Sequence, residues 1–92
     1  MNQPDNRIPT HHPQTAARVF SGEAVIITPA ENTVRMLNAV GSRVWELADG
    51  TRTVEAIAGV LTQEFDVDLA QARESATQFV DELAAKGLLT FA

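Results

Sequence analysis

The two histidines are the first residues to consider for chemistry, because an imidazole can bind a metal or act as a base. His11 and His12 are adjacent and lie in a polar segment that also contains prolines. Adjacent residues of an extended chain point apart, and no third ligand is near in sequence, so we favour solvated side chains over a metal site. The predicted folded part has no histidine that could activate a serine, which disfavours a Ser-His-Asp arrangement.

The remaining polar residues give little support to catalysis. The chain has no cysteine and no tyrosine, which excludes a thiol nucleophile, a zinc finger of the usual kind and a disulfide framework. Asp66 and Asp68 flank a predicted helix start, where capping explains them. Glu74, Asp81 and Glu82 lie away from the apolar stripe of that helix, on what we interpret as a solvated face. We therefore predict a protein that is not an enzyme and needs no cofactor.

The charge balance argues against nucleic acid and membrane partners. The 92 residues carry a net charge of -5, whereas phosphate binding needs clustered Lys and Arg. The predicted helix from Asp68 to Lys86 is net negative, so a winged-helix DNA-binding regulator is the less favoured alternative. No apolar run approaches the roughly 20 residues of a membrane-spanning helix. The polar N-terminus does not resemble a secretory signal, and we predict a cytoplasmic protein.

The first half of the chain predicts an arm followed by a small sheet. Prolines and polar residues in 1–15 predict a flexible arm without regular elements, and residues 16–92 are predicted to form one domain. Three short extended segments follow, Ala17–Phe20, Glu23–Thr28 and Thr33–Leu37. Turns at 21–22 and 29–32 separate them. Because these connections are short, we expect a three-stranded antiparallel meander.

Helical periodicity begins after Asn38. Asn38, Thr53 and Asp68 are good N-cap residues, and each precedes an apolar stripe at helical spacing. A short apolar segment, Leu88–Phe91, follows the third predicted helix and is interpreted as a stub strand or a segment packed on the core. Three strands followed by three helices predict an α+β fold with winged-helix proportions.

The third predicted strand is the best candidate for a binding surface. An unpaired strand edge offers a row of backbone donors and acceptors, so an extended peptide can add to Thr33–Leu37 as a further strand. Phe79, Val80 and Leu83 of the third helix are candidates for the opposite wall of such a groove. The alternative is that these three side chains fill the core. The edge can also be occupied by a second copy of the chain, which would give a homodimer.

Several short motifs match a known family. They are Ile27-Thr28-Pro29-Ala30-Glu31, Leu37-Asn38, Val44-Trp45-Glu46-Leu47, Asp49-Gly50-Thr51-Arg52-Thr53-Val54, Phe79-Val80-Asp81-Glu82-Leu83 and Gly87-Leu88-Leu89. With these motifs, the stretch from Arg18 to Leu89 resembles the PqqD family, the stand-alone form of the recognition domain found in ribosomal peptide modification pathways.

The resemblance implies a non-catalytic peptide chaperone. Such proteins bind the leader region of a ribosomally made precursor peptide and bring it to a modifying enzyme, which in the namesake pathway is a radical S-adenosylmethionine (SAM) enzyme of pyrroloquinoline quinone (PQQ) biosynthesis. The same domain serves other modified-peptide pathways, which remain an alternative. Carried over by position, the peptide-binding residues are Thr33, Val34, Arg35, Met36 and Leu37, with Ala76, Phe79, Val80 and Leu83 opposite. Arg35 is a candidate to contact an acidic side chain of the leader.

Overall fold

The computed structural model describes residues 5–28 and 33–92. Its elements follow in the order β1 (Pro9–His11), β2 (Ala16–Phe20), β3 (Glu23–Thr28), β4 (Thr33–Met36), α1 (Ala39–Leu47), α2 (Val54–Glu64), α3 (Leu69–Ala85) and β5 (Leu89–Phe91). The predicted α+β class is confirmed. The predicted turn at 29–32 lies outside the described residues. No helix in the described residues is long and apolar enough to cross a membrane.

The antiparallel meander of β2, β3 and β4 forms as predicted, with β3 in the centre. Ser21 and Gly22 connect β2 to β3 and have φ angles of 52° and 79°, the two positive values that a tight hairpin turn requires. Phe20 then pairs with Glu23. On the other side, Ile26 of β3 pairs with Arg35 of β4. This register places Arg35 on the same face of the sheet as the buried Ile26.

All three helices begin at the predicted caps. The side chains of Asn38, Thr53 and Asp68 each accept a hydrogen bond from the backbone N–H three residues further on, at 2.8, 3.0 and 2.8 Å. These bonds satisfy donors that the first helical turn leaves without partners. The apolar stripe of α3 is buried as expected at Ala72, while Leu69, the first residue of the helix, is 41% exposed.

The core lies between the helices and the inner face of the sheet. Trp45 is its largest side chain and is only 2% exposed. The other buried apolar residues are Ala24, Ile26, Val44, Leu47, Ala48, Val54, Ile57, Ala58, Leu61, Ala72, Ala76, Val80, Leu83, Leu88 and Leu89. Every helix and the central strand contribute, so burial of this shared core fixes the central strand β3 against α1 and the helices against one another.

The prediction that residues 1–15 contain no regular element is wrong for the segment that forms β1. Pro9–His11 pairs antiparallel with β5, with Pro9 opposite Phe91. A proline is compatible with the first position of an edge strand, because no ladder hydrogen bond needs its missing N–H. The residues just before β1 accept backbone hydrogen bonds from the start of α2, from Val54 N–H to Arg7 O and from Glu55 N–H to Asp5 O, each 2.9 Å long.

The sequence suggested a solvated side chain for His11, and this prediction is wrong. Its ring stacks on Trp45 with a centroid distance of 3.8 Å and an interplanar angle of 6°. Its Nε2 also lies 2.6 Å from the backbone oxygen of Trp45, a geometry in which the N–H donates to the carbonyl. His11 therefore attaches the N-terminal segment to the core. Among the described residues, no group of three or more His, Asp or Glu side chains could hold a metal ion.

Candidate functional site

Strand β4 is an edge of the three-stranded sheet, and within the described residues it pairs only with β3. Leu37, directly after the strand, donates its N–H to Ala24 O at 2.9 Å. Backbone groups of successive residues in a strand point to opposite sides. The N–H and C=O groups of Val34 and Met36 therefore point away from β3, toward the free edge.

A groove of about 290 Å³ runs between this edge and α3. One wall is the run Val34–Leu37, and the other is formed by Phe79, Glu82, Leu83 and Lys86. Each of these helix residues lies three or four positions from another of them, so the four share one face. The groove has an open backbone edge on one side and a mixed apolar and charged helix face on the other, which is suited to holding an extended chain.

The structure separates the predicted site residues into two groups. Val34, Arg35, Met36 and Leu37 line the groove, together with Phe79 and Leu83. Ala76 and Val80 are fully buried and belong to the core beneath it, and Leu83, although it borders the groove, is also buried, with 2% of its surface exposed. Thr33 lies in β4 opposite Thr28.

Two groove residues, Glu82 and Lys86, were missed from the sequence. Glu82 was interpreted as part of a solvated helix face, and Lys86 only as a charge at the end of the same helix. Both are exposed, but their position beside β4 was overlooked. Helical spacing was the available signal, because Glu82 and Lys86 lie three and seven positions after Phe79 on the same helix. Lys86 Nζ pairs with Glu82 Oε1 at 2.9 Å. This contact, with a smaller contribution from Arg35, lowers the pKa of Glu82 below its ordinary value.

The position of Phe79 depends on a close approach between α1 and α3. A Cβ atom on Gly41 would lie 2.5 Å from Cε1 of the Phe79 ring, closer than two non-bonded carbon atoms approach in proteins. Glycine therefore allows the ring to lie against the α1 backbone. Phe79 also borders a second cleft of about 200 Å³ between α1 and the start of α3, so this one ring separates two concave surfaces.

Ser42 fixes the end of β4 relative to α1. Its hydroxyl accepts a hydrogen bond from Ala24 N–H at 2.6 Å and donates one to Leu37 O at 3.1 Å. In a continued β3–β4 ladder, Ala24 N–H would donate directly to Leu37 O. The Ser42 hydroxyl lies between these two groups and bonds to both. Ser42 is the one polar residue among the buried side chains described, and its hydrogen bonds explain why it is tolerated there.

The groove also contains a side chain with an unmet hydrogen-bonding requirement. The Nε atom of Arg35 is buried and has no hydrogen-bond partner among the residues that the structure describes. Arg35 originates on the inner face of the sheet, next to the core, and this placement explains its burial. Val34 and Met36 lie on the outer face and are 63% and 72% exposed.

Fold and site together define a small α+β domain with a groove between an open strand edge and its third helix. The chain belongs to the PqqD family: the family model described as "Coenzyme PQQ synthesis protein D (PqqD)" matches residues 23–89. This match covers the meander from β3 onward and all three helices. The segment that contains β1 and β2 precedes it.

Two solved structures are similar over nearly the whole chain. TbiB1, solved in complex with the TbiA(beta) leader peptide, is 28% identical with a TM-score of 0.79, and the match covers 87% of this chain and 93% of that one. A lasso peptide synthetase B1 complexed with its leader peptide is 16% identical with a TM-score of 0.80, covering 90% and 98% respectively. At that identity the second likeness shows the fold alone. No curated protein sequence matches this chain.

Proposed function

We propose that this protein binds the leader region of a ribosomally synthesised precursor peptide by strand addition to β4. The observation that carries the proposal is the groove itself, in which an open strand edge faces the apolar side chains of α3. An added strand would pair with the outward groups of Val34 and Met36 and would place alternate side chains against Phe79 and Leu83. The similarity to TbiB1, whose structure contains a leader peptide, supports the same ligand class.

The protein acts as a non-catalytic chaperone in this proposal. The groove lining consists of apolar side chains, an ion pair between Glu82 and Lys86, and Arg35. None of these is a nucleophile beside a base. The bound leader would be delivered to a radical SAM enzyme, with PQQ biosynthesis as the pathway that the family description favours. We place this step in the cytoplasm, where a newly made precursor is available.

A different modified-peptide pathway is the second candidate. The observation in its favour is the 28% identical structure of TbiB1, whose bound peptide is the TbiA(beta) leader. Strand addition to β4 would be the same in either pathway, since backbone pairing does not depend on the leader sequence. The two pathways differ in the precursor and in the enzyme that receives it.

The binding function is tested by titrating the protein into a fluorescent leader peptide. The peptide is the leader region of a candidate precursor, and a scrambled peptide of the same composition is the control. We expect saturable binding to the leader and at least about tenfold weaker binding to the scrambled peptide. Equal affinity for both would contradict sequence-selective recognition. Addition of the radical SAM enzyme that modifies this precursor should give a complex of all three components.

A further inference from the structure

The cations of the molecule differ in whether they have a carboxylate partner. Five of those in the described residues form ion pairs: Arg7, Arg43, Arg52, Arg73 and Lys86. Arg18 and Arg35 form none within the same part of the chain. Arg18 is exposed on β2, where water solvates its guanidinium. Arg35 is half-buried, and its Nε has no hydrogen-bond partner there.

A buried donor without an acceptor is unfavourable, because it has lost its hydration and gained no hydrogen bond in exchange. Native proteins rarely retain such groups without a reason. Arg35 lines the groove that the peptide is proposed to occupy. An acceptor on the bound ligand would therefore give the Arg35 Nε–H the hydrogen bond that the rest of the described chain does not provide.

The charges around the groove favour an anionic acceptor. The lining includes two cations, Arg35 and Lys86, and one carboxylate, Glu82. Lys86 and Glu82 pair with each other at 2.9 Å, whereas Arg35 acts on Glu82 only through its charge and forms no ion pair within the described residues. The groove is thus locally positive on a protein whose net charge is -5.

The strand register fixes which peptide position would meet Arg35. Arg35 points to the inner face of the sheet, as does Ile26 opposite it. In an added strand, the residue directly across from Arg35 points to that same face, with the two Cβ atoms about 4.5–5.5 Å apart. The peptide residues two positions before and after it also point inward, toward Leu37 and the face of α3 that carries Phe79 and Leu83.

We propose that the bound peptide carries an aspartate or glutamate opposite Arg35, with an apolar residue two positions away. The acidic side chain pairs with the Arg35 guanidinium, and the apolar side chain packs against Phe79 and Leu83. This inference rests on the proposed function, since it requires strand addition to β4. It adds the chemistry by which the groove selects among extended peptides.

The experiment uses a display library of random peptides of about ten residues, the upper end of the usual strand length. The library is selected in parallel on the wild-type protein, on Arg35→Gln and on Arg18→Gln. Arg18→Gln is the matched control, because it removes an unpaired sheet arginine outside the groove. We expect wild type and Arg18→Gln to enrich peptides with an acidic residue two positions from an apolar one. Arg35→Gln should lose the acidic preference.

Individual selected peptides then test the contact from both sides. Replacing the acidic residue by its amide should weaken binding to wild type about tenfold, the expectation for a charge-assisted contact. The same replacement should have almost no effect on Arg35→Gln. Peptides that bind Arg35→Gln as tightly as wild type, or that tolerate the amide on wild type, would overturn the inference. Melting temperatures establish that each variant is folded.

Failure of the inference can be distinguished from failure of the proposed function. Binders that perturb the NMR signals of β4 but are insensitive to Arg35 contradict only the acidic contact. A library that gives no binders, or binders that perturb other parts of the molecule, contradicts strand addition to β4 and the inference with it.

Discussion

At the scale of single residues, the shape of the groove depends on Gly41. The residue has no side chain, so the Phe79 ring lies directly on the α1 backbone, and this placement gives the groove its apolar wall. The sequence did not indicate this role. Glycine at this position inside α1 has a low helix propensity. The reason for a glycine here is the Phe79 ring, which belongs to another helix. The hydrophobic periodicity of a sequence does not reveal contacts between two residues that are distant in the chain.

Replacing Gly41 by alanine should displace Phe79. The new Cβ would overlap the ring, and overpacking of this kind costs about 1–3 kcal/mol, more than the gain of about 1 kcal/mol in helix propensity. We expect a lower free energy of unfolding in denaturant melts and about tenfold weaker leader binding, since the displaced ring enters the groove.

Gly59→Ala is the matched control for Gly41→Ala. Gly59 is also inside a helix, but nothing lies within 4 Å of the position that its Cβ would take. Alanine should therefore stabilise the protein by about 0.5–1 kcal/mol and leave leader binding unchanged. If Gly41→Ala were to behave like Gly59→Ala in both measurements, the importance of the Phe79 contact would be contradicted.

At the scale of elements, the sequence predicted the strands and helices well, because local signals determine them. The caps Asn38, Thr53 and Asp68 and the hairpin turn at 21–22 fix where elements begin and end. The arrangement of the elements was less accessible. The N-terminal strand was missed because its prolines suggested an irregular segment, and its pairing with β5 joins the two ends of the described chain, a contact that no local pattern encodes.

The same distinction applies to the predicted groove residues. Side chains alternate between the two faces of a strand, which places Val34 and Met36 on one face of β4. The stripe of α3 did not reveal which of its members face the groove, because buried and groove-lining residues share one helical period. Ala76 and Val80 are buried in the core, while Phe79 extends to the groove.

A proline at Met36 tests the edge of β4 directly. The N–H of Met36 points to the free edge, so Met36→Pro removes a donor from the proposed peptide interface without removing a β3–β4 hydrogen bond. We expect about tenfold weaker leader binding, in line with the loss of one hydrogen bond and the steric effect of the ring. Met36→Ala keeps the N–H and should bind within about threefold of wild type. Equal binding by Met36→Pro and Met36→Ala would contradict strand addition at this position, provided that circular dichroism shows both variants folded.

The contact of β1 with the core is tested by comparing its two histidines. His11→Ala removes the stack on Trp45 and the hydrogen bond to its backbone oxygen, so we expect a loss of about 1–2 kcal/mol of unfolding free energy. Among the described residues, the His12 side chain accepts a single hydrogen bond, from the Gln14 N–H. His12→Ala should therefore change stability by less than about 0.5 kcal/mol. Equal effects of the two substitutions would show that the stack does not anchor β1.

At the scale of the whole molecule, the open edge can serve two partners. Val34 and Met36 are largely exposed beside it, and an edge with exposed apolar residues is prone to pair with a second copy. We propose a weak homodimer through β4 in the absence of peptide. One edge cannot pair with both partners, so sedimentation should show a dimer at high concentration that leader peptide converts to monomer. A dimer that persists with saturating peptide would place the self-association surface elsewhere.

The central claim is that a leader peptide binds between β4 and α3, and it is tested most directly by NMR titration of isotope-labelled protein with the leader. We predict the largest shifts for the backbone amides of Val34–Leu37 and of Phe79–Lys86, with the edge amides of Val34 and Met36 becoming protected from hydrogen exchange. Shifts confined to β1, β5 and α2, with β4 unchanged and unprotected, would contradict it.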